Sequence, residues 1–247
     1  MRGVIFILFF YTCLYATAPQ PQQKSIKIPI LMYHHIRTLN ATDDQMMTDV
    51  SCPPALFLEH LTYLTSENYH TVTFVDVQNY LFGLSTLPSK PIILTFDDGY
   101  SDNLWAATQL HAQHMQGVFF VVTKTLNTPE HLTNANLKHM YSLGMEIGSH
   151  GKYHVDLRKI RFDKVGQQMA ESKKKLEEIL GVPIISFCYP NGGYNRHMGK
   201  ACRDAGYWFA RGTTPGISTI HGKHYALKTL RIDSKTTIPE FKKLLQK

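Results

Sequence analysis

Pro91-Ile92-Ile93-Leu94-Thr95-Phe96 is an almost continuous apolar run of strand length, with none of the polar alternation of a half-wet strand. A strand of this kind is buried on both faces, which is the situation inside a parallel sheet covered by helices. Comparable runs recur at 28–33, 118–122, 184–188 and 208–210, and Thr71-Val72-Thr73-Phe74-Val75 is β-branched and strand-like. Amphipathic stretches separate them. Pro53-Pro54 open a helix with Phe57, Leu61 and Leu64 on one face. Helical patterns follow at 103–114, at 135–143 before Gly144, and at 196–205 and 239–245, with a short strand at 145–148. Segment 163–180 carries Val165, Met169, Leu176 and Leu180 on one stripe and closes with Gly181 and Pro183. This strand–helix alternation predicts an α/β fold, a barrel among its forms, with active-site loops at the carboxyl ends of strands.

The chain is long enough for one packed domain: 247 residues, 43% hydrophobic and only 18% charged, which excludes a disordered or coiled-coil protein. No internal repeat is present. The formal charge of +7 suits an ordinary basic exported protein as well as an anionic partner. The densest basic cluster, Lys173-Lys174-Lys175, lies inside a helical pattern, so no nucleic-acid partner is expected.

Arg2, the apolar Val4–Phe10 core and Ala16-Thr17-Ala18 read as a signal peptide over 1–18, followed by a Pro- and Gln-rich linker at 19–25 and a single domain at 26–247. No later stretch is apolar enough to span a bilayer once the signal is removed. The expected location is outside the cytoplasm: periplasm, medium or cell surface. Cys52, Cys188 and Cys202 remain after signal removal, an odd number, so no complete disulfide framework exists. A Cys188–Cys202 bridge is allowed and not required, and the absence of a CxxC argues against a thiolate zinc site.

Three constellations carry chemistry. Thr95-Phe96-Asp97-Asp98-Gly99-Tyr100 puts two adjacent carboxylates where a buried strand ends. Adjacent side chains on an extended chain point opposite ways, so both serve one site only if the backbone bends, which Gly99 allows. Ser149-His150-Gly151-Lys152-Tyr153-His154 follows another strand and offers two imidazoles at i and i+4, on a helical turn or a tight loop. One carboxylate with two neutral imidazoles is a facial metal triad with open positions. The other carboxylate, Asp97 or Asp98, is then available as a general base. The third constellation, Phe187-Cys188-Tyr189-Pro190-Asn191-Gly192-Gly193-Tyr194, ends in a turn whose backbone N–H groups suit an oxyanion.

In this order, Thr-Phe-Asp-Asp-Gly-Tyr, Ser-His-x-x-x-His-x-x-Leu and Tyr-Pro-x-Gly resemble the polysaccharide deacetylases of carbohydrate esterase family four. Leu31-Met32-Tyr33-His34-His35-Ile36 and the Arg-free third motif look most like the poly-β-1,6-N-acetylglucosamine (biofilm exopolysaccharide) N-deacetylases. The resemblance covers about 28–245 and implies a single-domain distorted (β/α) barrel with fewer than eight complete units. It implies Asp97 as base, with Asp98, His150 and His154 as ligands of a divalent metal, zinc first, with nickel, cobalt or iron as alternatives. It also implies an oxyanion contact from the Tyr189 backbone N–H, a loop shaped by Pro190, Asn191 and Gly192, and His34 and His35 beside the site.

Two departures stand out. The family's Leu-x-His acid is absent, since Leu230-Arg231-Ile232-Asp233 stands there; His34, His221 and His224 are the available substitutes, and His34 is taken as the third catalytic residue with Asp97 and Tyr189. The third-motif Arg that holds the base is replaced by Ser186, which implies a differently oriented Asp97 and low activity. The expected enzyme is a monomeric metal-dependent hydrolase acting on the amide of an acetylated glycan. Peptidoglycan, chitin oligomers, O-acetyl xylan or a catalytically silent glycan-binding role are the alternatives.

Overall fold

A computed structural model describes residues 25–246; the signal segment and nearly all of the linker lie outside the described residues. Seven strands form the frame: β1 (Ile30–Tyr33), β2 (Pro91–Phe96), β3 (Val118–Val121), β4 (Glu146–Ser149), β5 (Ser186–Cys188), β6 (Phe209–Pro215) and β7 (His224–Arg231). Each pairs in parallel with the next, and β7 returns to β1 through Leu230↔Leu31 and Arg231↔Met32, closing the ring. The result is a closed seven-stranded parallel barrel, as the alternation and the resemblance imply. Closure leaves no free sheet edge in the ring.

Helices α1 (Pro54–Ser66), α2 (Phe74–Leu81), α3 (Asn103–Ala112), α4 (Asn134–Ser142), α5 (Phe162–Leu180), α6 (Arg196–Asp204) and α7 (Ile238–Leu245) complete the frame. An outer core lies between most of them and the ring, built from residues such as Leu31, Leu94, Phe96, Phe119, Ile147 and Phe187. Each fully buried Leu, Ile or Phe of this kind contributes roughly 1.5–3 kcal/mol. A second core fills the lumen with Ile30, Ile93, Val118, Phe120, Phe209 and Leu227. Gly148 faces this lumen, where a Cβ would come within 2.5 Å of Phe120 and 2.7 Å of the Ser186 hydroxyl. No larger residue fits without moving a neighbour.

Helix α2 corrects the strand expected at 71–75. Only His70–Thr71 pair as a strand, and Phe74 begins a helix. Thr73 and Asp76 form a capping box there, with Thr73 Oγ1 accepting from the Asp76 amide and Asp76 accepting from the Thr73 amide. Reciprocal satisfaction of orphan helix donors outweighs the β propensity of the run. Phe74 and Val77 from α2 enter the lumen core and close the barrel's amino-terminal end, with Phe74 stacked on Phe209 at 5.3 Å. The carboxyl end is left for chemistry.

Candidate active site

The turn after β2 creates the site. The Asp97 amide donates to the Tyr33 carbonyl at 3.0 Å, so Asp97 still belongs to the ladder. Asp98 and Gly99 then adopt left-handed backbone, at φ 73° and 77°. For Asp98 this conformation carries a steric cost that Asp tolerates better than most residues. At Gly99 a Cβ would stand 3.1 Å from Val121 Cγ1. This bend, at Asp98 as well as the expected Gly99, turns both carboxylates toward the barrel mouth.

His150 and His154 reach the same place from the loop after β4, which is irregular rather than helical. The His150 amide donates to the Val121 carbonyl at 2.9 Å, and Nδ1 lies 2.8 Å from the Cys188 carbonyl, to which it can only donate. That contact leaves Nε2 as a lone-pair donor. Nε2 of both His150 and His154 lies 3.2 Å from Asp98 Oδ1, and one ligand atom from each of the three residues falls within 4.8 Å of the others. Asp98 Oδ1 is buried and receives no hydrogen bond. Burial alone would push the Asp98 carboxyl up, but the imidazoles of His150, His34 and His154, once protonated in acid, overcome this and hold it well below the usual carboxylate range. An orphaned buried carboxylate oxygen facing two imidazole nitrogens fits a divalent cation. The side chain of His154 is 39% exposed, so the cluster opens to solvent on that side.

A second cluster, Asp97 with His150 and Cys188, is less suited to a cation. Burial pushes the Cys188 thiol up, so it stays protonated, 3.5 Å from Asp97 Oδ2. Asp97 Oδ1 also accepts a hydrogen bond from the Arg211 guanidinium. Arg211 is fully buried in the lumen on β6, with its guanidinium carbon 4.9 Å from the Phe120 ring centroid.

Arg211 corrects the expectation that Asp97 lacks an arginine partner. Ser186, in the motif position, donates to Glu146 Oε1 at 2.6 Å, while the guanidinium arrives from the adjacent strand. Only an arginine inside a short apolar strand marked Arg211 in the sequence, and nothing there connected it to a residue 114 positions earlier.

The remaining expected residues divide. His34 Nε2 stands 3.8 Å from Asp97 Oδ2, while its buried Nδ1 has no partner. Burial lowers the His34 pKa to about 4 despite the opposing charges of Asp97 and Asp98, so the ring is neutral near pH 7. His35 lies at the rim, its Nδ1 2.6 Å from Asp102 and its ring stacked on Tyr100 at 3.5 Å. His224 begins β7 and His221 precedes it, which puts both at the opposite end of the barrel. Of the three substitute acids, only His34 reaches the site.

Tyr189 departs from its expected role. Its amide donates to the Arg211 carbonyl at 3.0 Å, extending the β5–β6 ladder, so it is not free for an oxyanion. Its ring is buried in the outer core, with the hydroxyl donating to the Tyr225 carbonyl at 3.0 Å. The allowed Cys188–Cys202 bridge is not formed, and Cys52, Cys188 and Cys202 are all free and buried.

A parallel barrel whose carboxyl mouth gathers a guanidinium-held carboxylate beside a carboxylate and two imidazoles has the make-up of a hydrolase. Residues 85–210 match the polysaccharide deacetylase family model, and the chain belongs to that family of hydrolases. It is 30% identical over 211 residues to the Bacillus subtilis (strain 168) protein YxkH, a polysaccharide deacetylase by name, covering 85% of this chain and 73% of that one. The polysaccharide deacetylase BC0361 of Bacillus cereus superposes with a TM-score of 0.79 at 27% identity, over 90% of this chain and 69% of that chain. Streptococcus pyogenes deacetylase PplD, solved in complex with acetate, gives 0.79 at 26% identity, over 90% and 98% of the two chains.

Proposed function

We propose that the protein is an exported, metal-dependent N-deacetylase that releases acetate from an N-acetylglucosamine polymer of the biofilm exopolysaccharide type. The observation that carries this reading is the division between the two adjacent carboxylates: Asp97 paired with a guanidinium, Asp98 facing two imidazoles. Asp98, His150 and His154 would hold the cation. When bound, it supplies Lewis acidity that polarises the acetamide carbonyl and makes water a better nucleophile. Asp97 takes the proton from the attacking water, its orientation fixed by Arg211. His34, neutral before reaction and 3.8 Å from Asp97, relays that proton to the departing amine nitrogen. Acetate and a free glucosamine unit result. The acetate bound to PplD is the product such a reaction would leave.

Acetate release from acetylated glycans, measured with and without chelator, tests this reading. Chelator should abolish release, and His154→Ala should bind far less metal than His114→Ala. Release that survives complete metal removal, or equal metal occupancy in the two variants, would overturn it. Export predicts a mature chain beginning between Thr17 and Gln23, which mass spectrometry of protein recovered outside the cytoplasm reads directly.

A further inference from the structure

Arg231, the last residue of β7, stands at the same mouth with no role in the chemistry described so far. Leu227 lies in the lumen core, and Thr229 Oγ1 contacts Met32 Sδ and the Gly212 carbonyl inside the ring. Leu230 and Ile232 belong to the outer core. The two-residue period of a strand therefore carries Arg231 onto the lumen row where the barrel opens. It is in register with Met32, two residues before His34, and its charge reaches the His34 ring.

Arg231 is exposed and has no carboxylate partner among the described residues. Among the described residues its guanidinium makes a hydrogen bond from Nη1 to the Asp49 carbonyl at 3.4 Å. The carboxylates on the neighbouring loops are engaged elsewhere. Asp49 Oδ1 accepts from Gln45 Nε2 at 2.6 Å and lies 3.5 Å from Lys235 Nζ, while Asp233 Oδ1 accepts from Thr236 Oγ1 and the Lys235 amide, both at 2.9 Å. Inside the mouth, Asp97 already has Arg211, and Asp98 faces the imidazoles. Arg231 is thus a surplus positive charge at the barrel mouth, on the side of His34. A neutral acetamide does not call for it.

We propose that Arg231 binds a carboxylate carried by the glycan next to the acetamide that is cleaved, so that the preferred N-acetylglucosamine polymer bears acidic substituents. A guanidinium at an open mouth can take a carboxylate in two parallel hydrogen bonds. The inference rests on the deacetylase reading and narrows it.

The test uses the metal-loaded full chain, N-acetylglucosamine oligomers either neutral or bearing carboxymethyl ethers, and the variant Arg231→Gln. The wild type should prefer the carboxymethylated oligomer. Arg231→Gln should lose about tenfold in kcat/KM on that oligomer, through KM, and nothing on the neutral one. Added salt should weaken the wild type's preference and leave the variant unaffected. Equal losses on both oligomers, accompanied by a lower melting temperature, would make Arg231 a strap for the loop carrying Asp49 and overturn the proposal. So would a change confined to inhibition by free acetate, which would assign the guanidinium to product. Calorimetric binding of the carboxymethylated oligomer decides the matter even if neither oligomer is turned over. Tighter binding to wild type than to Arg231→Gln upholds the carboxylate site while the deacetylase reading fails, and equal binding overturns the site.

Discussion

Two carboxylates are buried in the lumen of one barrel, and they meet opposite electrostatic fates. Asp97, at the carboxyl mouth, faces a fully buried guanidinium and a neutral imidazole. Glu146, at the amino-terminal end, has no cation partner among the described residues; it accepts from the Ser186 hydroxyl at 2.6 Å and the Val75 amide at 3.1 Å. Burial pushes the Glu146 carboxyl up to about 7, against the pull of those donors and of the Phe74 amide at the start of α2. Neutral donors and a helix terminus offset part of the cost of burying a charge, whereas a guanidinium offsets far more. The mouth pairs its buried carboxylate with a guanidinium, and the closed end holds a carboxyl that gains or loses its proton near neutrality.

The largest effect expected from this contrast is on turnover. Asp97→Asn removes the proton acceptor and keeps the side-chain volume, so acetate release should fall by roughly 10²–10⁴-fold with metal still bound. Glu146→Gln, a similar change at the other end of the lumen, should leave turnover close to wild type. Parallel kinetics and metal analysis of the two variants check the contrast, and comparable turnover in both would break it.

Stability should respond next. Arg211→Gln leaves Asp97 buried without its cation, at a cost of about 3–5 kcal/mol by denaturant unfolding. Adding Asp97→Asn removes the stranded charge, so the double variant should recover much of that loss. Additive losses would mean that the two side chains are not coupled.

The smallest effect concerns Glu146 and pH. Its folded pKa of about 7 lies above the ordinary value of 4.5, so the folded chain holds this proton more tightly than the unfolded chain. The resulting stability is complete below about pH 4.5, is lost as pH rises through about 7, and is flat above. Relative to Glu146→Gln, the wild type should therefore lose up to about 3 kcal/mol between those limits. A wild-type-minus-variant difference that does not change with pH would show that Glu146 is ionised throughout.

Much of this was legible in the primary structure, for identifiable reasons. Runs such as Pro91–Phe96 and Val118–Val121 needed burial on both faces, which only a helix-covered parallel sheet supplies. Asp97, Asp98, His150 and His154 sit just after strand ends, where a parallel barrel collects its loops. At 71–75 a local cap outweighs the β-branched composition: Thr73 and Asp76 have capping-box spacing.

Local pattern determined the barrel type, the strand-end placement of the four motif residues and the turn chemistry that aims two adjacent carboxylates one way. These are short-range matters, settled by side-chain period, turn conformation and the need to bury apolar runs. Ring closure decided the rest. It brought Arg211 across 114 positions to Asp97, tied the Tyr189 amide into a ladder, sent His221 and His224 to the far end, and left Arg231 beside His34 without a carboxylate. Each depends on which strands become neighbours and which face a residue takes in a closed sheet, and long-range pairing of that kind leaves no mark in the spacing of residues along the chain.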